Sequence, residues 1–322
     1  MQKIIAVTGA TGSQGGGLAR AILADSAGEF RVRALTRDVS STSARALAAA
    51  GAEVVAADLD DEDSLRGAFE GVHGVYVVTN YFAERSAEEV AARSAADMEL
   101  EQAGNAARAA RAAKVQHVIW STLDDTRPHF GDSGRVPLLD DGRYTVPHFD
   151  AKSEADELFR TAGVPTTYLR TTFYYESLAG PLAPVREADG TLVLTLPMAD
   201  KRIAAIAAED IGRTALGIFR RGPQEYAGRT VSIAGDHLTG EEIAHAMASA
   251  IGEPVHYRPL SWGDFRALGF AGAVEFGNMF QFYAENSEQF TGDRELDVVR
   301  ELNPRLQTLS DWLEAHRAEL RF

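Results

Sequence analysis

The sequence contains no cysteine, which excludes disulfide bonds and thiolate chemistry. Basic residues are scarce, because 32 lysines and arginines face 47 aspartates and glutamates, for a net charge of −15. A phosphate backbone repels an acidic protein that has no local basic patch, so we expect no direct binding to DNA or RNA. The sequence also lacks an apolar run of about 18 residues, the length that a membrane helix needs. Its first strand starts near the N-terminus, so we expect no signal peptide and a cytoplasmic location.

The remaining composition is that of a globular protein, with 45% hydrophobic and 25% charged residues. A chain of 322 residues is long enough for one large α/β domain, or for one domain with a smaller lobe. We predict no metal site.

A glycine-rich turn between a strand pattern and a helix pattern organises the sequence. Ile4–Val7 is an apolar run typical of a buried parallel strand, and Leu18–Leu23 has the apolar spacing of a helix. The glycines between them follow a GxxGxxG spacing instead of the commoner GxGxxG. Such glycines allow a tight turn, the close approach of a pyrophosphate and close helix packing, and the helix N-terminus attracts phosphate. We therefore predict a dinucleotide-binding turn formed by Gly9, Thr11, Gly12, Ser13, Gln14 and Gly15.

Further strand patterns alternate with helix patterns along the first half of the chain. They lie at Arg31–Thr36, Glu53–Ala57, Gly74–Val78, Gln116–Thr122 and Pro165–Thr171. This alternation predicts an α/β fold, a Rossmann doubly wound parallel sheet with a small α/β C-terminal lobe. We assign residues 1–180 to the Rossmann domain and 181–322 to the lobe, which interleaves with it. Later strands near 203–207 and 230–234 are expected to join the sheet, and residues 86–113 to form one long helix.

Two strand ends indicate how the adenosine half of a dinucleotide would bind. Arg37 ends the second strand, where an acid favours NAD and an arginine suits the 2′-phosphate of NADP. Asp38 follows it and could face either way, so NAD stays possible with weaker binding. Asp58 and Leu59 end the third strand near the expected adenine. Asp58 could accept from the adenine amino group or cap the helix at residues 62–69.

Polar and aromatic residues at later strand ends are predicted to line the nicotinamide half. They are Thr79, Asn80, Tyr81, Ser121, Phe173 and Tyr174. The segment Leu123–Pro147 is rich in glycine, proline and charge, which is typical of a lid or a mobile loop. Aromatic residues in Gly269–Phe290 share one helix face, and we favour core packing over a substrate-binding role for them.

Several motifs together resemble the NmrA-like proteins, which are atypical members of the short-chain dehydrogenase/reductase superfamily, and especially their HSCARG-type branch. The resemblance spans nearly the whole chain. The motifs are Gly9–Gly16, Thr36-Arg37, Val78–Tyr81, His148–Lys152, Asn278–Tyr283, Leu302–Pro304 and Asp311–Leu313.

The resemblance implies an NADP-binding Rossmann domain with a small C-terminal lobe. It assigns the pyrophosphate to Gly9–Gly15 and the 2′-phosphate to Arg37. It assigns the nicotinamide side to Thr79 and Asn80, and the nicotinamide ribose to Lys152. Family members are described as sensors of dinucleotide redox state that bind regulatory partner proteins, and relatives include reductases of quinones and other carbonyl compounds.

One position departs from the pattern of catalytic short-chain reductases. Those enzymes pair a proton-donating tyrosine with a lysine four residues later. Here Lys152 is present, but the preceding partner position holds His148. His148 and Tyr174 are candidate substitutes for the tyrosine, and Ser121 matches the serine that polarises the carbonyl. We also keep open a hydride-only mechanism in which water or the substrate supplies the proton.

Two hypotheses follow for function. The first is a redox-sensing regulatory protein that binds NADP(H) and acts through a protein partner. The alternative is an NADPH-dependent oxidoreductase of a quinone or another small electron-poor carbonyl compound. A homodimer is compatible with both hypotheses.

Overall fold

The computed structural model of the protein describes residues 2–320. These residues divide into two compact units. The first unit holds the chain up to Asp125 together with His148–Arg170 and Glu209–Val231. The second unit holds Thr126–Pro147, Thr171–Ala208 and the chain from Ser232 onward. The chain therefore passes between the two units five times. The predicted boundary at residue 180 stays a prediction.

The strands and helices are numbered in chain order. The strands are β1 (Lys3–Val7), β2 (Phe30–Thr36), β3 (Glu53–Ala56), β4 (Gly74–Val77), β5 (His117–Thr122), β6 (Thr166–Arg170), β7 (Phe173–Tyr174), β8 (Val185–Arg186), β9 (Leu192–Leu194), β10 (Ile203–Ile206), β11 (Thr230–Ser232), β12 (Asp236–Leu238) and β13 (Val255–Tyr257). The helices are α1 (Ser13–Leu23), α2 (Thr42–Ala49), α3 (Glu62–Phe69), α4 (Ala87–Ala92), α5 (Ala95–Ala112), α6 (Arg127–Phe130), α7 (Pro147–Ala162), α8 (Ala208–Arg221), α9 (Pro223–Tyr226), α10 (Gly240–Ile251), α11 (Trp262–Arg266), α12 (Ala273–Glu285), α13 (Ser287–Gly292), α14 (Leu296–Leu302) and α15 (Leu309–Ala315), with a 3₁₀-helix at Tyr175–Ala179.

The first unit is built on a seven-stranded sheet with the order β11-β6-β5-β4-β1-β2-β3. Strands β1 to β6 pair in parallel, so their carboxyl ends meet at one edge. Val75, Tyr76 and Val77 of β4 have no solvent exposure, as expected for a strand covered on both faces. The order from β3 to β6 is that of a dinucleotide-binding sheet, which confirms the predicted Rossmann class.

Close helix packing fixes α1 in the first unit. A Cβ placed on Gly17 would lie 2.8 Å from the Cα of Glu209, and one on Gly212 would lie 2.1 Å from the backbone nitrogen of Leu18. No side chain fits in these gaps, so α1 and α8 pack backbone against backbone. This contact holds α1 in place behind the turn that precedes it.

Two expectations about individual elements were wrong. The helix predicted over residues 86–113 is broken into α4 and α5, because Ser94 forms a new capping box with Asp97. The strand expected to join the main sheet near residues 203–207 is β10, which instead forms a three-stranded sheet with β12 and β7. The other late strand, β11, does lie at the edge of the seven-stranded sheet.

The second unit has an aromatic core. Phe280 of α12 lies 5.4 Å from Phe265 and 6.0 Å from Phe173, measured between ring centroids. Residues Asn278–Tyr283 are buried, so the aromatic stretch packs in the core as predicted. The segment expected to be a loop contains α6, and Asn278 of α12 donates hydrogen bonds to the carbonyls of Pro137 (2.9 Å) and Thr145 (2.7 Å).

Candidate functional site

The glycine turn between β1 and α1 leaves the N-terminus of the helix open. Gly9 has a φ of +58°, and its carbonyl accepts a hydrogen bond of 2.9 Å from the amide of Gly12. Gly12 is the N-cap, and no side chain caps the helix. A Cβ on Gly15 would lie 2.5 Å from the carbonyl oxygens of Gly9 and Thr8, so only glycine fits there. The turn therefore presents backbone N–H groups without a side-chain acceptor, as an anion site requires.

Gln14 ties this turn to two neighbouring strands. Its Oε1 accepts hydrogen bonds from the Tyr76 hydroxyl (2.7 Å) and from the Ser121 hydroxyl (2.8 Å). Ser121 is 1% exposed, so its hydroxyl is buried in this contact. The side chains of Thr11 and Ser13 are exposed on the same turn. In this arrangement Ser121 positions Gln14; its predicted role at a carbonyl stays a prediction.

Arg37 and Asp38 directly follow β2, and their side chains differ in whether they have hydrogen-bond partners. Arg37 is exposed, and its guanidinium has no hydrogen bond or ion pair with any residue in the range 2–320. The carboxylate of Asp38 accepts from the backbone amide (2.8 Å) and the hydroxyl (2.6 Å) of Ser40. The Ser40 hydroxyl and amide lower the pKa of Asp38. The acid is therefore held in its own turn, while the guanidinium is available to a ligand.

Asp58 organises the turn after β3 and does not cap the following helix. Its Oδ1 accepts from the amide of Asp60 (3.0 Å). Helix α3 is capped by Asp61, which accepts from the amides of Asp63 (3.0 Å) and Ser64 (3.1 Å). The helix-cap alternative for Asp58 is therefore wrong.

Leu59, the residue after Asp58, is held in place by a hydrogen bond to its backbone carbonyl. Leu59 is half-buried, and its carbonyl accepts from the side chain of Asn105 (2.9 Å). The predicted contacts of Asp58 and Leu59 with an adenine stay predictions.

A buried ion pair lies just beyond the end of β4. Lys152 Nζ donates to the hydroxyl (2.6 Å) and the carbonyl (3.3 Å) of Thr79, and forms an ion pair with Glu99. The Thr79 hydroxyl donates to the same carboxylate oxygen of Glu99. Lys152 is 9% exposed and Glu99 is fully buried. The structure thus brings Lys152 next to Thr79, and it adds Glu99, a partner that sequence reasoning missed. The predicted role of Lys152 at the nicotinamide ribose stays a prediction.

His148 lies one turn before Lys152 among aromatic rings. Its ring centroid is 5.9 Å from that of Tyr81 and 5.1 Å from that of Phe82. His148 is 7% exposed, whereas Phe82 is 52% exposed. Asn80 is exposed next to this cluster, and its carbonyl accepts from the amide of Ala83 (3.1 Å). The cluster gives His148 an apolar environment.

A second acidic residue that sequence reasoning missed, Asp156, lies one helical turn after Lys152 on α7. Asp156 accepts a hydrogen bond of 3.0 Å from the indole nitrogen of Trp120, and Lys152 Nζ lies 5.3 Å from the centre of the same indole. Burial raises the pKa of Asp156 to about 6. Of these two missed acids, only Glu99 could have been noticed from the sequence. It is a charged residue on the alanine-rich face of α5, between the buried Ala96 and Ala103.

Phe173 and Tyr174 belong to the second unit, where they form β7. Phe173 is buried against Phe280, and Tyr174 is half-buried. Their predicted positions beside a nicotinamide stay predictions.

A sequence profile of the NmrA-like family matches residues 1–313. The chain belongs to the NmrA-like family. Curated NmrA-like relatives cover most of it. The oxidoreductase hkm9 of Aspergillus hancockii is 30% identical over 282 residues, 83% of this chain and 78% of the relative. The oxidoreductase lnbB of Aspergillus flavus is 27% identical over 314 residues, 91% of this chain and 86% of the relative. Both are described as NmrA-like family domain-containing oxidoreductases.

Solved structures show the same NmrA-like fold. The negative transcriptional regulator NmrA in complex with NADP has a TM-score of 0.74 at 22% identity, covering 97% of this chain and 94% of that one. The triphenylmethane reductase of Citrobacter sp. complexed with NADP(H) has a TM-score of 0.70 at 19% identity, covering 97% and 99%. The NADPH-dependent quinone oxidoreductase QOR2 of Escherichia coli, complexed with NADPH, has a TM-score of 0.68 at 23% identity, also covering 97% and 99%.

Two other kinds of feature are absent from the part of the chain that the structure describes. Within residues 2–320, no group of three or more His, Asp or Glu side chains is placed to hold a metal ion. In the same range, no helix combines the length and apolar character needed to cross a membrane.

Proposed function

We propose that this NmrA-like protein binds NADP(H) at the carboxyl edge of its seven-stranded sheet and transfers a hydride to a small electron-poor acceptor, such as a quinone. The observation that carries the proposal is the uncapped glycine turn combined with the unpaired guanidinium of Arg37 one strand away. The two features fit the two anionic parts of NADP, which are the pyrophosphate and the 2′-phosphate.

The residues present fit the whole cofactor. The backbone around Gly9, Gly12 and Gly15 would hold the pyrophosphate, since a Cβ at Gly15 would occupy space that the turn needs. Arg37 would hold the 2′-phosphate. The second carboxylate oxygen of Asp58, which has no donor among residues 2–320, could accept from the adenine amino group. Known complexes of the structural neighbours with NADP and NADPH support this choice of ligand.

The nicotinamide end favours acceptors that need little help from a protein acid. NADPH bound here would supply the hydride. The chain has His148 where a catalytic short-chain reductase has its tyrosine, and that histidine is buried among aromatic rings. The Ser121 hydroxyl is bound to Gln14. A quinone takes a hydride to give a stable anion that water protonates, and a triphenylmethyl cation takes one without any proton. Both acceptor classes occur in the names of structural neighbours.

The test is the oxidation of NADPH, followed by absorbance, with 1,4-benzoquinone, 9,10-phenanthrenequinone and malachite green as acceptors. We expect turnover with at least one acceptor and a higher KM for NADPH in Arg37→Ala. Rates equal to the protein-free blank across all three acceptors would contradict the oxidoreductase proposal, although NADPH binding could still be measured separately.

A second candidate function is cofactor sensing through a protein partner. It is favoured by Ser121 and Lys152, because both residues that match reductase chemistry are engaged with other side chains. The neighbour NmrA is described as a negative transcriptional regulator. For a sensor, the cofactor must bind two states of the protein with different affinity. Limited proteolysis of residues 126–147 with and without saturating NADP tests this, and unchanged cleavage would exclude the predicted switch. The partner protein and the homodimer stay predictions.

A further inference from the structure

The carboxylate of Glu99 is an unusual feature of the site. Its Oε1 accepts from Lys152 and from the Thr79 hydroxyl, and the side chain is fully buried. Its other oxygen, Oε2, is buried without a hydrogen-bond partner among residues 2–320. Buried polar atoms without partners are rare in folded proteins, and each one requires an explanation.

A purely structural role does not require a charge at this position. Taking a carboxylate and an ammonium out of water is costly, and well-packed apolar residues often replace a buried ion pair without loss of stability. The neighbours of Glu99 on the buried face of α5 are Ala96 and Ala103. A small apolar residue would continue this face, so the acid must serve Lys152.

The effect of Glu99 on Lys152 is to cancel its charge. The ammonium has three N–H donors, and Thr79 and Glu99 together offer three acceptors to it. Thr79 directly follows β4, at the carboxyl edge where the nicotinamide of a bound dinucleotide is expected. A nicotinamide ring is a cation when oxidised and neutral when reduced. An unbalanced charge at this edge would therefore favour one redox form over the other.

We propose that Glu99 is a specificity-determining residue for the redox form of the dinucleotide. By neutralising Lys152, it allows the oxidised, cationic ring to bind without repulsion from the ammonium. The inference rests on the proposed binding of NADP(H), but it does not require turnover of any acceptor.

The experiment is isothermal titration of NADP⁺ and NADPH into the parent, Glu99→Gln, Lys152→Met and the double variant at pH 6.5. Glu99→Gln keeps an acceptor for Thr79 but leaves the ammonium unbalanced. We expect it to shift the ratio of the two dissociation constants about tenfold toward NADPH. Lys152→Met leaves the carboxylate without its partner; repeated at pH 8.5, where even a buried carboxylate is ionised, it is expected to shift the ratio toward NADP⁺. The double variant should return the ratio to near the parent value.

Glu101→Gln is the matched control, because Glu101 lies on the same helix and its side chain is 59% exposed. Solvent screens that charge, so the ratio should not change. Unchanged ratios in both single variants, or shifts in the same direction, would show that Glu99 is only structural. If circular dichroism shows that Glu99→Gln does not fold, the direction in which Lys152→Met shifts the ratio of the two dissociation constants still tests the proposal. A parent that binds neither dinucleotide would overturn the proposed function and this inference together.

Discussion

Arg37 and Asp38 are adjacent residues with opposite charges, and their surroundings separate their roles. Ser40 holds the carboxylate of Asp38 through both its amide and its hydroxyl. Turning that carboxylate toward a ribose would break both hydrogen bonds. The guanidinium of Arg37 has no such competing partner among residues 2–320. This difference between the two side chains is the basis of our proposal that the site prefers the 2′-phosphate of NADP to the ribose hydroxyl of NAD.

Arg37→Ala is predicted to weaken NADP binding and to leave NAD binding almost unchanged. A charge-assisted hydrogen bond contributes about 1.5–3 kcal/mol, so the expected loss for NADP is roughly ten- to a hundredfold. Fluorescence or calorimetric titration of both cofactors measures it. Arg31→Ala is the control, because Arg31 is exposed at the opposite end of the same strand. Equal losses for both cofactors in Arg37→Ala would show that the arginine only supports the fold.

Asp156 is predicted to make the stability of the protein depend on pH. Its pKa is raised from 3.8 to about 6 by burial, so the folded state favours the protonated acid. The stability that the protonated Asp156 contributes is fully present below the pKa of this group in the unfolded chain. It is lost as the pH rises through about 6. A shift of about two units corresponds to roughly 2–3 kcal/mol. Asp156→Asn keeps an acceptor for Trp120 and should therefore gain stability over the parent between pH 5 and 7.5.

Urea unfolding at several pH values, followed by tryptophan fluorescence, measures the free energy of unfolding of both proteins. The difference between variant and parent should grow as the pH rises. A difference that stays constant from pH 5 to 7.5 would mean that Asp156 does not titrate in this range.

At the scale of elements, the positions of the strands could be predicted well from the sequence. Which strands pair with each other could be predicted less well. The buried runs that became β1 and β4 are apolar in the sequence, and their bounds differ from the predicted ones by one residue. The pairing of β10 with β12 and β7 depends on residues far apart in the chain, which no local pattern encodes. Glu99 was missed for a related reason, because its importance comes from the position of Lys152 on another helix.

Two glycine substitutions are predicted to act in opposite directions. Gly15→Ala would place a methyl group 2.5 Å from two backbone oxygens, so it should destabilise the protein by about 1–3 kcal/mol or more. Gly67→Ala lies on an exposed position of α3 with no atom within 4 Å of the new Cβ. It should stabilise by about 0.5–1 kcal/mol, since alanine is the better helix former.

Thermal and denaturant unfolding of the two variants test this pair. Gly67→Ala should keep the parent affinity for NADP. A Gly15→Ala variant as stable as the parent would show that the turn can relax, which would contradict the packing role of this glycine.

The whole molecule combines a net negative charge with the anion site that we propose. A net charge of −15 opposes a ligand that carries phosphates, so affinity has to come from local donors. The first unit carries these donors at the carboxyl edge of one sheet. Composition alone predicted the overall charge and the absence of cysteine chemistry. The way in which the chain passes between the two units could not be predicted from it, because that depends on which segments pack together.

Bound NADP is predicted to slow hydrogen exchange mainly in the first unit. A ligand at about 100 times its dissociation constant stabilises the folded state by about 2.7 kcal/mol, and exchange slows most where the ligand contacts the backbone. We expect protection in peptides that contain Gly9–Gly15, Arg37, Asp58 and Thr79. Protection of Phe173 and Tyr174 would support their predicted place at the nicotinamide, and its absence there would remove them from the site. Exchange that is unchanged at the glycine turn with saturating NADP would contradict the proposed cofactor site, since the pyrophosphate is proposed to bind the backbone amides of that turn.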